Sequence, residues 1–430
     1  MKRNIQYFLV VILVLLAIKG VSQDTLTSEN VEQKSYQLYL DKNWPELIKV
    51  SNKAIKNGYD YFYLQLRVGI AYYEQKNYSI AEGHFQKALS FNADDELSLE
   101  YLYYCYLFVG RNEEARWLSK KFSATLAEKI GTDRQSKIGF ILIEAGSKIT
   151  DSISYYNKGN QGLRNYYKSP IYFQLGLNHY VKNKASVFHA LTYFNQESFT
   201  GKISQFQYFL KTAIPLKKNW LISPTIHWVN SKSTVQSLGT ATMIVGPPPP
   251  PGHQPQINTT SVLTNNSTSS NYFIGSFSVQ KIVKKLTFGL GISVSNINKV
   301  SQYNNNGFIS YSFLGNSKLI LGCGGYFHSE DNYSSSNFAI APFIYTQPKN
   351  WLALKISYFN NTKKNIVEEN GYLVNNSADL TTSRYSVLVN FTINKHLSLY
   401  GLYQLENKYE EIQKFNYRYN VILGGIKITP

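Results

Sequence analysis

Seven histidines, two cysteines and 27 acidic residues are the raw material from which catalysis or metal binding would have to be built. The histidines are His84, His179, His189, His227, His253, His328 and His396. None stands in HxxxH or HExxH spacing, so no helix turn presents two imidazoles to a metal. His328, Ser329 and Glu330 are three reactive types in a row, yet neighbours along a chain do not converge on one substrate atom without special geometry. No G-x-S-x-G, Walker loop or C-x-x-C is present. The expectation is a protein that is not an enzyme, with no catalytic residue, metal or cofactor. A lipid-modifying enzyme with Ser and His at a membrane rim is the residual catalytic alternative. Cys105 and Cys323 fall in different predicted domains, so no disulfide framework is expected.

The remaining chemistry is charge and aromaticity. The formal net charge is +17, with 44 basic residues, and 15% of the chain is aromatic, including 35 Tyr. Charged residues make up 17%, below the roughly 25% of an ordinary soluble domain. A basic balance of this size attracts anionic partners, lipid headgroups or an acidic polymer. Nucleic acid is not expected, because no recognised binding motif is present. Lysines gather in short predicted turns: Lys182 and Lys184, Lys217 and Lys218, Lys284 and Lys285. Others fall on the polar side of predicted strands, where Lys211, Lys355 and Arg418 join Gln174, Asn178 and Asn390.

Strands must position these groups. Leu286–Ile297 alternates strictly, with Leu286, Phe288, Leu290, Ile292 and Val294 on one face and Thr287, Gly289, Gly291, Ser293 and Ser295 on the other. A period of two is a strand with one apolar face. Ile171–Asn178, Phe206–Ile214, Leu352–Tyr358, Tyr385–Thr392 and Tyr417–Gly424 repeat the pattern. About fourteen such segments, give or take two, fill residues 131–430, which predicts an antiparallel transmembrane β-barrel. Mean hydropathy is −0.27, which leaves no room for a helical membrane bundle. Val187–Phe194 and Phe338–Tyr345 are apolar on both sides. Pro215, Pro224 and Pro342 must sit near strand ends or bulges.

The connections alternate between long and short. Residues 182–184, 217–219, 284–285, 315–317, 347–350 and 395–396 are short. Those between them are longer, above all 151–169, 231–270 and 360–382. Outer-membrane barrels have short periplasmic turns and long outer loops. The six lysines of the short turns would then line the periplasmic rim, and Lys211, Lys355, Arg418, Gln174, Asn178 and Asn390 would face the lumen. A soluble sandwich has no reason to keep this alternation. Residues 231–270 contain Pro247–Pro251 between Ser-, Thr- and Asn-rich flanks, which predicts a disordered, Pro-rich outer loop.

Ahead of the barrel, residues 1–22 have the make-up of a secretory signal: Lys2 and Arg3, the apolar run Phe8–Ile18, then Gly20, Val21 and Ser22. Residues 23–130 carry a period of 34. Gly69, Tyr72, Ala81, Phe85 and Ala88 define one unit. Leu102, Tyr106, Ala115 and Phe122 fall at related offsets in the next, and Leu38, Trp44, Leu47 and Ala54 in the one before. This resembles the tetratricopeptide repeat, a helix–turn–helix unit. The resemblance implies a partner-binding face on the first helix of each pair, here Tyr36, Tyr39, Tyr63, Ile70, Tyr73, Tyr104 and Phe108. Some of these rings are equally suited to packing between repeats.

A signal, a short repeat domain and a C-terminal barrel together resemble the YaiO-like outer-membrane proteins, and more distantly the repeat-plus-barrel exopolysaccharide export porins. The resemblance implies a Gram-negative outer-membrane protein with its repeats in the periplasm. The expected function is a channel or export component, its repeats recruiting a periplasmic protein or guiding an anionic or polysaccharide substrate. The alternative is a non-conducting anchor that docks a periplasmic complex.

Overall fold

The computed structural model describes residues 27–150, 169–198, 201–244, 257–331, 335–363, 367–374, 380–410 and 414–430. The signal-like residues 1–22 and the proline run Pro247–Pro251 lie outside them.

Among the described residues seven helices come first: α1 Ser28–Leu40, α2 Trp44–Lys56, α3 Phe62–Glu74, α4 Tyr78–Phe91, α5 Glu96–Phe108, α6 Asn112–Ser119 and α7 Ala124–Ile130. The period of 34 is visible in their starts: Ser28, Phe62 and Glu96 begin the first helices, Trp44, Tyr78 and Asn112 the second. Side-chain oxygens cap several of them. Thr27 accepts from the amide of Asn30 at 3.2 Å and Asp95 from that of Ser98 at 2.7 Å, meeting donors that a helix start leaves unpaired. The core joins Leu66, Ile70, Ala81, Phe85, Ala88, Leu99, Leu102, Cys105 and Ala115. A Cβ at Gly69 would stand 2.7 Å from the Phe85 ring, so α3 and α4 cross this closely only because position 69 has no side chain.

Residues 138–428 form a closed barrel of fourteen antiparallel strands. They are β1 Ile138–Thr150, β2 Ile171–Val181, β3 Ala185–Ser198, β4 Gly201–Leu216, β5 Trp220–Ile244, β6 Ile257–Val283, β7 Leu286–Ser295, β8 Gln302–Ser312, β9 Leu319–Glu330, β10 Ser335–Lys349, β11 Leu352–Lys363, β14 Leu380–Thr392, β15 Leu397–Glu410 and β16 Phe415–Ile428. Each pairs with its neighbour, and β1 closes the ring on β16 with Glu144 opposite Gly425. Two short strands, β12 Val367–Glu368 and β13 Leu373–Val374, form a separate small hairpin. On β7, Leu290, Ile292 and Val294 are 73%, 60% and 54% exposed, while Ser293 is 6% exposed. Apolar side chains therefore face outward and small polar ones inward, the arrangement of a barrel solvated by lipid.

At two prolines, which lack an N–H, pairing is interrupted with one of the two neighbouring strands. The β4–β5 ladder breaks between Lys211↔Thr225 and Ile214↔Ile222, at Pro224. The β10–β11 ladder breaks between Ile340↔Asn360 and Phe343↔Ser357, at Pro342. Pro215 stands one residue from the end of β4.

The expected loop at residues 231–270 is a correction. β5 and β6 run to 25 and 27 residues and stay paired from Trp220↔Lys281 to Ile244↔Ile257. Thr and Ser tolerate extended backbone as readily as coil, and the antiparallel partner supplies the hydrogen bonds. Since about 9–11 residues cross a bilayer, roughly fourteen residues of each strand project, a ribbon about 45 Å long.

Candidate functional site

The centre of the barrel is occupied by the connection between β11 and β14. Its described part, Val367–Val374, folds inward instead of outward. Thr225 Oγ1 donates to the carbonyl of Asn370 at 2.7 Å, and His227 Nδ1 lies 2.8 Å from that of Gly371. Asn306 Nδ2 donates to Asn370 Oδ1 at 3.1 Å, and Gln174 Nε2 to the Tyr372 hydroxyl. These anchors come from β2, β5 and β8, so the loop is held against several sectors of the wall. Gly371 sits at φ +93°, and a Cβ there would meet Ser276 Oγ at 2.8 Å. Only glycine gives both that backbone and that closeness.

Beside these polar anchors lies an apolar cluster. Val367 packs with Val229, Ile274 and Ile297, all essentially buried. Glu368 pairs with Arg384, whose guanidinium also lies 4.9 Å from the Phe359 ring centroid. Below them, Tyr372 packs edge-on to Phe209 at 5.0 Å and near Phe188 at 6.2 Å. This explains why β3 is apolar on both sides: Phe188 faces the inserted loop and Leu191 the exterior. Beside the loop, Tyr172 donates to Gln174 at 3.0 Å and Tyr400 donates to Glu144. Lys148 meets Glu406 at 3.3 Å, and Lys408 donates to Thr381 at 2.6 Å.

The second feature is at the short-turn end, where the helical unit docks on the barrel through its second helices. Asn219 Nδ2 donates to Glu82 Oε1 at 2.6 Å, and Gln86 Nε2 donates back to Asn219 Oδ1 at 2.9 Å. Glu82 also holds Arg111 at 2.7 Å, and Arg111 reaches Glu114 at 2.9 Å. Burial alone would lower the Arg111 pKa, but Glu82 and Glu114 hold it above its ordinary value. Arg116 donates to Asn183 at 3.4 Å and stacks 3.7 Å over Tyr180. Ser186 donates to Glu113 at 2.9 Å. Ser79 N–H donates to the Gly315 carbonyl at 2.9 Å, and Asn316 to that of Lys76 at 2.9 Å. His84, stacked on Tyr72 and 2.7 Å from Gln65, is lowered to about 4 by burial, with Lys284 adding to the effect and Asp60 opposing it.

The structure sorts the expected site residues. Gln174 and Asn178 face inward and are buried. Lys211 lies beside Phe188 and Thr225, and Lys355 lies 5.3 Å from the Phe343 ring centroid, both on the inner side. Asn390 is opposite Tyr400, also inward. Arg418 is a correction. It is exposed and shares a side with Ile422, which is 52% exposed, while Val421 is buried. Both sides of β16 carry rings or branched chains, so alternation alone leaves its phase open. Glu406 and Lys148 decide it, because Tyr419 must stand inward beside them.

Among the helix residues, Tyr36, Tyr63 and Phe108 are exposed. Arg67 lies 5.0 Å and 5.7 Å from the first two ring centroids. Ile70 is a second correction: it is 4% exposed in the core, so it presents nothing to a partner. Tyr39, Tyr73 and Tyr104 are half-buried, Tyr73 packing on Tyr101 at 4.8 Å. Lys182, Lys184, Lys217, Lys218 and Lys284 are exposed and Lys285 partly so, all at the end that carries the helical unit.

Sequence reasoning missed the inserted loop. Its signal was a long connection carrying Val367, Tyr372, Leu373 and Val374 around a glycine, residues that a solvated loop has no need of. Among the described residues no cluster of three His, Cys, Asp or Glu is placed to hold a metal.

The fold defines a class: a closed fourteen-stranded barrel with an inserted loop and a helical repeat unit seated on one mouth. No protein-family model and no curated protein matches the chain. Among solved structures it is similar to the toluene transporter TbuX of Ralstonia pickettii, at 6% identity, covering 68% of this chain and 88% of that one, with a TM-score of 0.41. A Pseudomonas aeruginosa FadL homologue matches at 9% identity, 68% and 90% coverage and 0.40. The Acinetobacter baumannii outer membrane protein Omp33 matches at 6%, 69% and 100% coverage and 0.37.

Proposed function

We propose that the protein is an outer-membrane channel or export component, closed at rest by the inserted loop and regulated by the helical unit on its periplasmic mouth. The observation that carries this reading is the loop Val367–Val374, held in the lumen by hydrogen bonds to a wall of polar side chains. A barrel built only as an anchor has no need to direct Gln174, Asn306 and His227 at one segment. Fourteen strands lie between the side-chain-filled eight-stranded barrel and the open sixteen-stranded pore, a width at which one loop can decide passage. The helical unit resembles tetratricopeptide repeats and, on this reading, lies in the periplasm after removal of residues 1–22. It guides an anionic or polysaccharide substrate to the mouth. Lys211 and Lys355 on the inner wall support preference for an anion.

Planar-bilayer conductance of the purified full-length protein tests the reading. The wild type should show small or rare openings, and replacement of Val367–Val374 by a short Gly-Ser linker should open it. A variant that stays silent would remove the channel.

A second reading is an assembly platform. Tyr36 and Tyr63 lie on the first helices, away from the docked second helices, with Arg67 between them. Capture of a periplasmic protein that is lost in Tyr36→Ala/Tyr63→Ala, together with a silent bilayer, would favour it.

A further inference from the structure

We infer that the lysine-rich perimeter at the short-turn end is a docking surface for anionic phospholipid headgroups in the leaflet on that side, with Trp220 and Trp351 seated at the same depth. The inference rests on the reading of the barrel as membrane-embedded.

The charge is concentrated in the barrel. Residues 131–430 hold 28 of the basic residues and 12 of the acidic ones, and from Lys202 to Ser329 there are ten lysines and no acid. The six short connections between the paired strands, 182–184, 217–219, 284–285, 313–318, 350–351 and 393–396, carry Lys182, Lys184, Lys217, Lys218, Lys284, Lys285, Lys318 and Lys395, again without an acid. The opposite end is mixed, with Glu197, Glu330, Asp331 and Glu410. Among the described residues none of these eight lysines forms an ion pair.

Three of these turns divide their work. Asn183, Asn219 and Asn316 face the helical unit and bond to it, while the lysines beside them stay exposed. Apart from Lys285, which donates to the Phe313 carbonyl at 3.0 Å, none of these lysine side chains hydrogen-bonds to protein among the described residues. The cationic side chains crowd one another: burial, then Lys184 and Lys182, hold the Lys120 amine below its ordinary pKa. A collar of like charges this dense calls for a counter-ion.

The girdle beside it says which. Trp220, Phe313, Trp351 and Ile393 are all exposed at these strand ends. Lys281 lies 4.9 Å from the Trp220 ring centroid, and Trp351 stacks on Phe391 at 6.3 Å. Tryptophan beside lysine on the outside of a barrel is the chemistry of the headgroup boundary. A polymer in transit would meet the lumen instead.

Tryptophan fluorescence tests this in full-length protein reconstituted into phosphatidylcholine vesicles. The vesicles are doped with brominated phosphatidylglycerol or, separately, with brominated phosphatidylcholine. Quenching by the anionic lipid should exceed that by the zwitterionic one roughly twofold at equal mole fraction and converge at high salt. The comparison variant carries Asn at Lys182, Lys218 and Lys284, whose φ values of 49°, 59° and 53° suit Asn, and Gln at Lys184, Lys217 and Lys285. It should lose the excess, and arginine at the same six positions should keep it. Equal quenching by both lipids in the wild type overturns the inference but leaves the membrane barrel standing. Absence of quenching by either lipid removes the barrel reading itself. No lipid excess, with soluble polyphosphate instead shifting the wild-type fluorescence and not the variant's, assigns the lysines to a polymer and overturns the leaflet assignment.

Discussion

Asn219 and Glu82 are 137 residues apart in sequence and 2.6 Å apart in space. The asparagine holds a left-handed turn, φ 61°, at the β4–β5 corner, and its amide enters the ion cluster of Glu82, Arg111 and Glu114. One side chain thus ties the barrel to the most buried charges of the helical unit. Asn219→Ala removes a donor to a buried carboxylate and should cost the docking about 1–3 kcal/mol. Protease sensitivity and hydrogen exchange of α4 and α6 should rise, while the strands stay protected.

Gly371→Val should expel the inserted loop. Its Cβ would meet Ser276, and a branched residue at φ +93° is strained. A penalty of about 1–3 kcal/mol shifts a closed loop toward open roughly tenfold, read as more frequent bilayer openings. Unchanged gating with an unchanged melting profile would clear the loop of a gating role.

Acid should loosen the helical unit before the barrel. His84 takes its proton near 4 in the fold and near 6.5 in the unfolded chain. Between these values the unfolded state binds more protons, so stability is full above about 6.5 and falls as pH drops toward 4. The expected loss between pH 7.5 and 5 is about 2 kcal/mol, followed by helical circular dichroism on heating. His84→Gln should flatten that dependence.

Phe85→Ala should cost about 3–5 kcal/mol, since a fully buried ring is replaced by a cavity between α3 and α4. The helical signal should melt early, and the barrel should keep its heat-dependent migration on a gel. Early loss of both together would mean that barrel and cap fold as one unit.

The barrel was legible because each strand repeats a two-residue alternation, and fourteen repetitions average out local exceptions such as Phe188 and Phe338. The helix pairs were legible through Gly69 and Phe85, which fix how close two helices lie. Phase was harder. Arg418 and Tyr419 are both plausible inward residues, and the choice depends on Lys148, some 270 positions earlier. The ribbon of β5 and β6 escaped notice because Ser and Thr read as coil until a partner strand is found. The inserted loop depends on contacts with β2, β5 and β8 together, which no local pattern encodes. Asn183, Asn219 and Asn316 look like ordinary turn residues, and only the docked helices show their second use.

The ring closes through hydrogen bonds between β1 and β16, from Ile141↔Ile428 to Thr150↔Tyr419. Closure therefore requires β16, Phe415–Ile428, to be present. Loss of β16 would leave β1 and β15 with unpaired edges facing hydrocarbon, where each orphaned amide costs several kcal/mol.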